Sequence, residues 1–108
     1  MEEFARMIID VFRRRWCLDA VYALGDGPLR FTELQHAIGR ASPEFPHAAV
    51  LQKALRVLEE HGYIEHDLDT VPPVYRLTCL GESVRSKIVE TDQWCRDRLN
   101  QRRDEHHH

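Results

Sequence analysis

The sequence predicts a mainly α-helical domain with one small β-hairpin, and three observations carry that expectation. Apolar residues recur at spacings of three and four along most of the 108-residue chain. A strand-like pattern is confined to 63–78, where it is interrupted by Pro72-Pro73. The length suits one domain, in the range of ~100–200 residues. Its core is then modest, and a long apolar helix outside that core is expected to find a partner.

The elements follow in order. Phe4, Ile8, Val11 and Phe12 mark one apolar face of a first helix. Trp16, Leu18, Ala20, Val21, Tyr22, Ala23 and Leu24 predict a second helix that ends at Gly25, before Gly27-Pro28 turns the chain. Phe31-Thr32-Glu33-Leu34 reads as an N-cap threonine opening a short helix, with Leu34 and Ile38 facing inward and Gly39 as its stop. Ser42, Pro43 and Pro46 make 40–46 a stiff loop, because proline disfavours helical geometry in the residue before it.

From 47 to 61, Val50, Leu51, Ala54, Leu55 and Leu58 form an apolar stripe, and Gln52, Lys53, Arg56 and Glu59 lie largely opposite. Gly62 ends that helix. Tyr63 to Asp67 and Val74 to Thr78 read as strands joined by a turn over 69–73. From about 80 to 102, the residues Leu80, Val84, Ile88, Thr91, Trp94, Cys95, Arg98 and Leu99 predict a long amphipathic helix.

A short helix, a tight connection, a longer helix with a polar outer face and then a hairpin is the order of a winged helix-turn-helix. The expected organisation is one domain over 1–105: helix-turn-helix 32–61, wing hairpin 63–78, and terminal dimerisation helices 1–14 and 80–103. His106, His107 and His108 resemble the remnant of a purification tag and are set apart from site reasoning.

The formal net charge is −3, which argues against a globally basic nucleic-acid binder, yet a DNA contact needs only a local basic face. Charge is segregated. From Pro28 to Leu58 the bases Arg30, Arg40, Lys53 and Arg56 outnumber Glu33 and Glu44, whereas Glu59, Glu60, Glu65, Asp67 and Asp69 follow without a Lys or Arg. Cys17, Cys79 and Cys95 are odd in number and lack CxxC spacing, which suits a reducing cytoplasm. The apolar stretch Met7–Phe12 is too short for a signal peptide and runs into Arg13-Arg14-Arg15, and no stretch reaches the ~20 apolar residues of a membrane span.

Arg15-Trp16, Gly27 to Leu34 (GPLRFTEL), Val50 to His66 (VLQKALRVLEEHGYIEH), Pro72-Pro73 and Leu77 to Gly81 (LTCLG) stand in the same order as the "KW", "GPxRFxEL", "LxxRLxxLExxGLIxR", "PP" and "LTxxG" pieces of HxlR-type regulators. The chain resembles that family over about Ile9 to Trp94. The resemblance implies a dimeric, DNA-binding bacterial transcription regulator, a repressor or an activator, with a repressor expected here. The chain departs from the pattern in a longer 40–49 loop, a shorter wing, and Ala54 where the family usually has a polar residue.

Gln52 and Lys53 are the expected base or phosphate readers, since glutamine pairs bidentately with adenine and lysine with guanine or phosphate. His47 and Arg56 accompany them, and Arg76 is the candidate wing contact. The resemblance places Arg30 and Thr32 on the DNA backbone. Phe4, Ile8, Phe12, Val84, Ile88, Trp94 and Leu99 exceed what a small core absorbs and are assigned to a homodimer interface. Two symmetry-related helices then read half-sites ~34 Å apart.

Cys17 follows three arginines at a helix start, a setting that can lower a thiol pKa, and the resemblance admits thiol sensing; the competing reading is a small buried hydrophobe. Cys79 and Cys95 read as packing residues. Trp16, Tyr22 and Trp94 could line a pocket for a small-molecule effector, although core packing explains them equally. His61, His66 and Asp67 match no metal-ligand template, and no cofactor is expected. No GxSxG, HExxH or phosphate-binding glycine loop is present, so the sequence does not read as an enzyme. The alternative is a winged-helix protein-interaction module, supported by the acidic 59–69 segment.

Overall fold

The computed structural model describes residues 2–106, excluding the side chains of residues 2, 4 and 103–106. The tag reading for His107 and His108 and the side-chain role assigned to Phe4 therefore lie outside the described residues. Five α-helices and one hairpin follow each other: α1 Glu2–Phe12, α2 Cys17–Ala23, α3 Phe31–Ala41, α4 Ala48–Glu60, β1 Ile64–Asp67, β2 Val74–Leu77 and α5 Cys79–His106, with a 3-10 turn at Leu24–Asp26.

The break between α1 and α2 is built around Trp16, whose backbone is left-handed at φ 71°. That conformation costs a non-glycine residue roughly 1–2 kcal/mol. Burial of the indole, 6% exposed, offsets it, and the Arg15 guanidinium lies 4.2 Å from the ring centroid. The core then gathers Val11, Cys17, Val21 and Leu24 with Leu34 and Ile38 of α3 and Leu51, Leu55 and Leu58 of α4. Each fully buried leucine contributes about 1.5–3 kcal/mol relative to exposure.

Two expectations about α3 are corrected. The N-cap is Arg30, not Thr32, because the Arg30 backbone N–H donates to Glu33 Oε1 at 2.9 Å and moves the helix start forward. The helix also runs through Gly39 to Ala41, so Arg40 and Ala41 are helical rather than loop. Gly39 is no stop; a Cβ there would lie 2.5 Å from the Phe45 ring, so the missing side chain makes room for Phe45.

α4 ends in the expected glycine cap: Gly62 has φ 79°, and Tyr63 N–H donates to Leu58 O at 2.9 Å. β1 and β2 pair antiparallel with Ile64 opposite Leu77 and Asp67 opposite Val74. Sequence reading missed a further pairing, in which Leu29 and Tyr75 exchange backbone hydrogen bonds at 3.0 and 2.8 Å and tie the α2–α3 connection to the wing.

The "LTxxG" piece has a mechanical meaning. Thr78 Oγ1 accepts from Gly81 N–H at 3.1 Å and donates to Gly62 O at 2.5 Å, while Thr78 N–H donates to Tyr63 O at 3.1 Å. α5 is thereby pinned onto β1. A Cβ at Gly81 would stand 2.0 Å from the Tyr63 carbonyl oxygen. Beyond Thr91 the described side chains of α5 are all exposed, Trp94 and Leu99 of the expected stripe among them, so only the first half of the helix packs on its own domain. At 1.5 Å per residue its 28 residues span about 42 Å. That projection explains a radius of gyration of 15.9 Å, where about 13 Å is usual for this length.

Candidate nucleic-acid interface

α4 separates its faces sharply. Leu51, Ala54, Leu55 and Leu58 are at most 4% exposed, while Gln52, Lys53 and Arg56 are exposed on the other side. Ala54 is buried where α2 meets α4, and the buried Cys17 Sγ lies 3.7 Å from the Ala54 carbonyl oxygen. Lys53 enters no ion pair among the described residues. His47 is exposed at the N-cap of α4.

α3 is tied to the entry of α4 through the loop between them. Gln35 Nε2 donates to the Pro46 carbonyl at 2.9 Å, tying the 42–47 loop to α3, and Arg15 ion-pairs with Glu44 of that loop at 2.5 Å. Thr32 is exposed in the first turn of α3, and Arg30 is exposed beside it, its Nε 3.2 Å from Glu33 Oε1. The hydrogen bond from the Arg30 backbone, reinforced by the guanidinium charge, holds the Glu33 carboxyl below its ordinary range.

The wing meets α4 in a small polar cleft lined by Gln52, Arg56, Glu59, His66 and Tyr75. His66 and Tyr75 stack at 4.0 Å, with His66 Nδ1 4.0 Å from Glu59. Burial, and then the Glu59 charge, push the Tyr75 hydroxyl pKa up. Arg76, the candidate wing contact, pairs with two carboxylates, Asp67 at 2.6 Å and Glu65 at 3.6 Å. The hairpin thus carries no unopposed Lys or Arg among the described residues.

The other predicted residues divide. Phe12 is half-buried against Tyr63, with ring centroids 5.2 Å apart, and Val84 packs partly on the same core. Ile8, Val84 and Ile88 line a shallow apolar groove between α1 and α5. Trp94 and Leu99 are each 59% exposed. Sequence reading missed Met7 and Ile9, 51% and 65% exposed on α1. Trp16 and Trp94 line separate cavities and Tyr22 is exposed, so these aromatics do not converge on one effector pocket. Cys17 is fully buried and its thiol pKa is pushed up to about 11 by burial, which leaves it protonated at neutral pH; Cys79 and Cys95 are exposed rather than packed. No group of three or more metal-ligating side chains occurs among the described residues, and no helix there is long and apolar enough to cross a membrane.

A first helix, an exposed polar helix and a hairpin against its flank define a winged helix-turn-helix fold. The fold is shared with a regulator of the MarR family from Enterococcus faecalis V583, at a TM-score of 0.80 and 20% identity, covering 94% of this chain and 91% of that one. The family model for the HxlR-like helix-turn-helix matches residues 11–103, and the chain belongs to that family of transcription regulators. It is 31% identical over 93 residues to the HTH-type transcriptional regulator YtfH of Escherichia coli K12, covering 83% of this chain and 70% of the relative. The structure of a ytfH regulator from Salmonella typhimurium superposes with a TM-score of 0.67 at 28% identity, covering 96% and 91% of the two chains.

Proposed function

We propose that this chain acts as a homodimer that binds duplex DNA sequence-specifically and represses transcription, with α4 in the major groove and α3 against the neighbouring phosphates. The observation that carries the reading is the exposed Gln52, Lys53 and Arg56 face on a helix whose opposite face is locked into the core. Gln52 and Lys53 offer base or phosphate contacts, and His47, Arg56, Arg30 and Thr32 offer phosphate contacts. The apolar groove at Ile8, Val84 and Ile88, with exposed Trp94 and Leu99 further along α5, supports pairing of two copies through the terminal helices. A cytoplasmic location follows from the DNA partner and from the unpaired cysteines.

Fluorescence anisotropy on duplexes from the gene's upstream region tests the proposal at two salt concentrations. Tight, salt-dependent binding that weakens in Lys53→Ala and Gln52→Ala supports it. One observation favours a second reading, a protein-interaction module: Arg76 is neutralised within a hairpin that also carries Asp69 and lies beside Glu59 and Glu60. Absence of binding to any duplex at low salt would turn the account to that reading.

A further inference from the structure

The entry end of α4 differs from its middle. Its first turn, Ala48, Ala49 and Val50, is exposed and bears only hydrocarbon, Val50 being 42% exposed. Polar side chains begin one turn later at Gln52. Just ahead of the helix stands Phe45, 52% exposed, although the chain holds it firmly. Its ring occupies the space left by Gly39, meets the His36 ring edge-on at 5.4 Å, and is flanked by the buried Pro46, whose carbonyl accepts from Gln35. Glu44 is tied to Arg15 on one side, and its backbone N–H donates to Ser42 Oγ at 3.3 Å on the other. A loop so fastened that leaves half of a phenylalanine in solvent presents that ring rather than hiding it.

A helix docked in a major groove offers its N-terminal residues to base edges. Hydrocarbon there has one matching feature on DNA, the C5-methyl of thymine, since the remaining base-edge groups are hydrogen-bond donors or acceptors. We infer that Phe45, with Ala48 and Ala49, forms an apolar reader of thymine methyls at the entry end of the recognition helix. The inference rests on the proposed DNA binding and deepens it by naming a base feature and a specificity residue.

The test starts from a duplex selected by the full-length protein from a random library. Each thymine is replaced in turn by deoxyuridine, which lacks only the methyl, and affinities are measured for the wild type, Phe45→Ala and Phe45→Leu. At one or two positions the wild type should lose about fourfold in affinity, the worth of one buried methyl-sized group. Phe45→Ala should show no such difference between thymine and deoxyuridine there, while Phe45→Leu keeps most of it. Thermal melting of the free proteins confirms that both variants fold. A wild type indifferent to every replacement overturns the inference while leaving DNA binding intact. So does a Phe45→Ala protein that binds more weakly yet retains the full difference. A wild type that selects no sequence and binds no duplex at low salt overturns the proposed function and this inference together.

Discussion

Replacing Gly81 by alanine puts a methyl group where β1 already lies. The added Cβ would stand 2.0 Å from the Tyr63 carbonyl oxygen, 3.0 Å from its carbon and 3.2 Å from Leu77 Cδ2. Two of these three are backbone atoms of a strand end held by Thr78 and by the helix cap after α4, so α5 must move away. Overpacking of this kind costs about 1–3 kcal/mol, and the geometry points to the upper end. Alanine returns about 1 kcal/mol through better helix propensity and a less flexible unfolded chain. A net loss of about 2 kcal/mol corresponds to a melting temperature lower by roughly 8–16 °C in a domain of this size. Gly25→Ala is the internal control. There the nearest atoms to the new Cβ all belong to the flexible Arg85 guanidinium, which swings aside at the expense of its exposed 3.3 Å hydrogen bond to Tyr22 O, so stability should change by about 1 kcal/mol or less. Urea and thermal unfolding of both variants measure the contrast. Equal stability of Gly81→Ala and the wild type, with unchanged denaturant slope, would refute the packing account of the α5 start.

Cys17 should resist a thiol reagent under native conditions at neutral pH while Cys79 and Cys95 react, because it is buried and its thiol is held up near 11. The folded value lies above the ordinary 9.0, so its contribution to stability is complete below pH 9 and is lost as pH rises toward 11; melting of Cys17→Ala and wild type across that range checks the sign. Glu33 behaves oppositely. Its folded pKa lies below the ordinary 4.5, so the stability that it lends is present above that value and disappears as pH falls through the folded one, and the melting difference between wild type and Glu33→Gln should shrink in acid. Introducing charge at the groove with Ile8→Glu and Ile88→Glu should shift sedimentation toward the monomer, and an unchanged oligomer would remove the terminal helices from the interface.

The helical periodicity that locates α4 is legible because burial imposes it: Leu51, Leu55 and Leu58 must face inward together, and Gln52, Lys53 and Arg56 are left outside by geometry. The same reasoning found the glycine cap and the strand pair. It failed where a contact from a distant residue decides the outcome. Gly39 looks like a stop until Phe45 is seen above it, and Thr32 looks like a cap until Glu33 is seen holding Arg30. The pairing of Arg76 with Asp67 was out of reach for the same reason, because it depends on the register of two strands. Phe12 meets Tyr63 across most of the fold, a contact that no local spacing announces. A signal for Phe45 was present all along in a lengthened loop that puts an aromatic between prolines.

Whether the outer face of α4 reads DNA is decided by the salt dependence of binding to an upstream duplex, measured for the wild type and for Lys53→Ala. Binding should weaken steeply with salt, and Lys53→Ala should lose about 1–3 kcal/mol if the lysine touches a base, or show a salt slope smaller by about one if it touches a phosphate. Wild-type binding that Lys53→Ala leaves unchanged in both affinity and slope would contradict the placement of the helix, and no binding at roughly 50 mM salt would contradict the DNA-binding account itself.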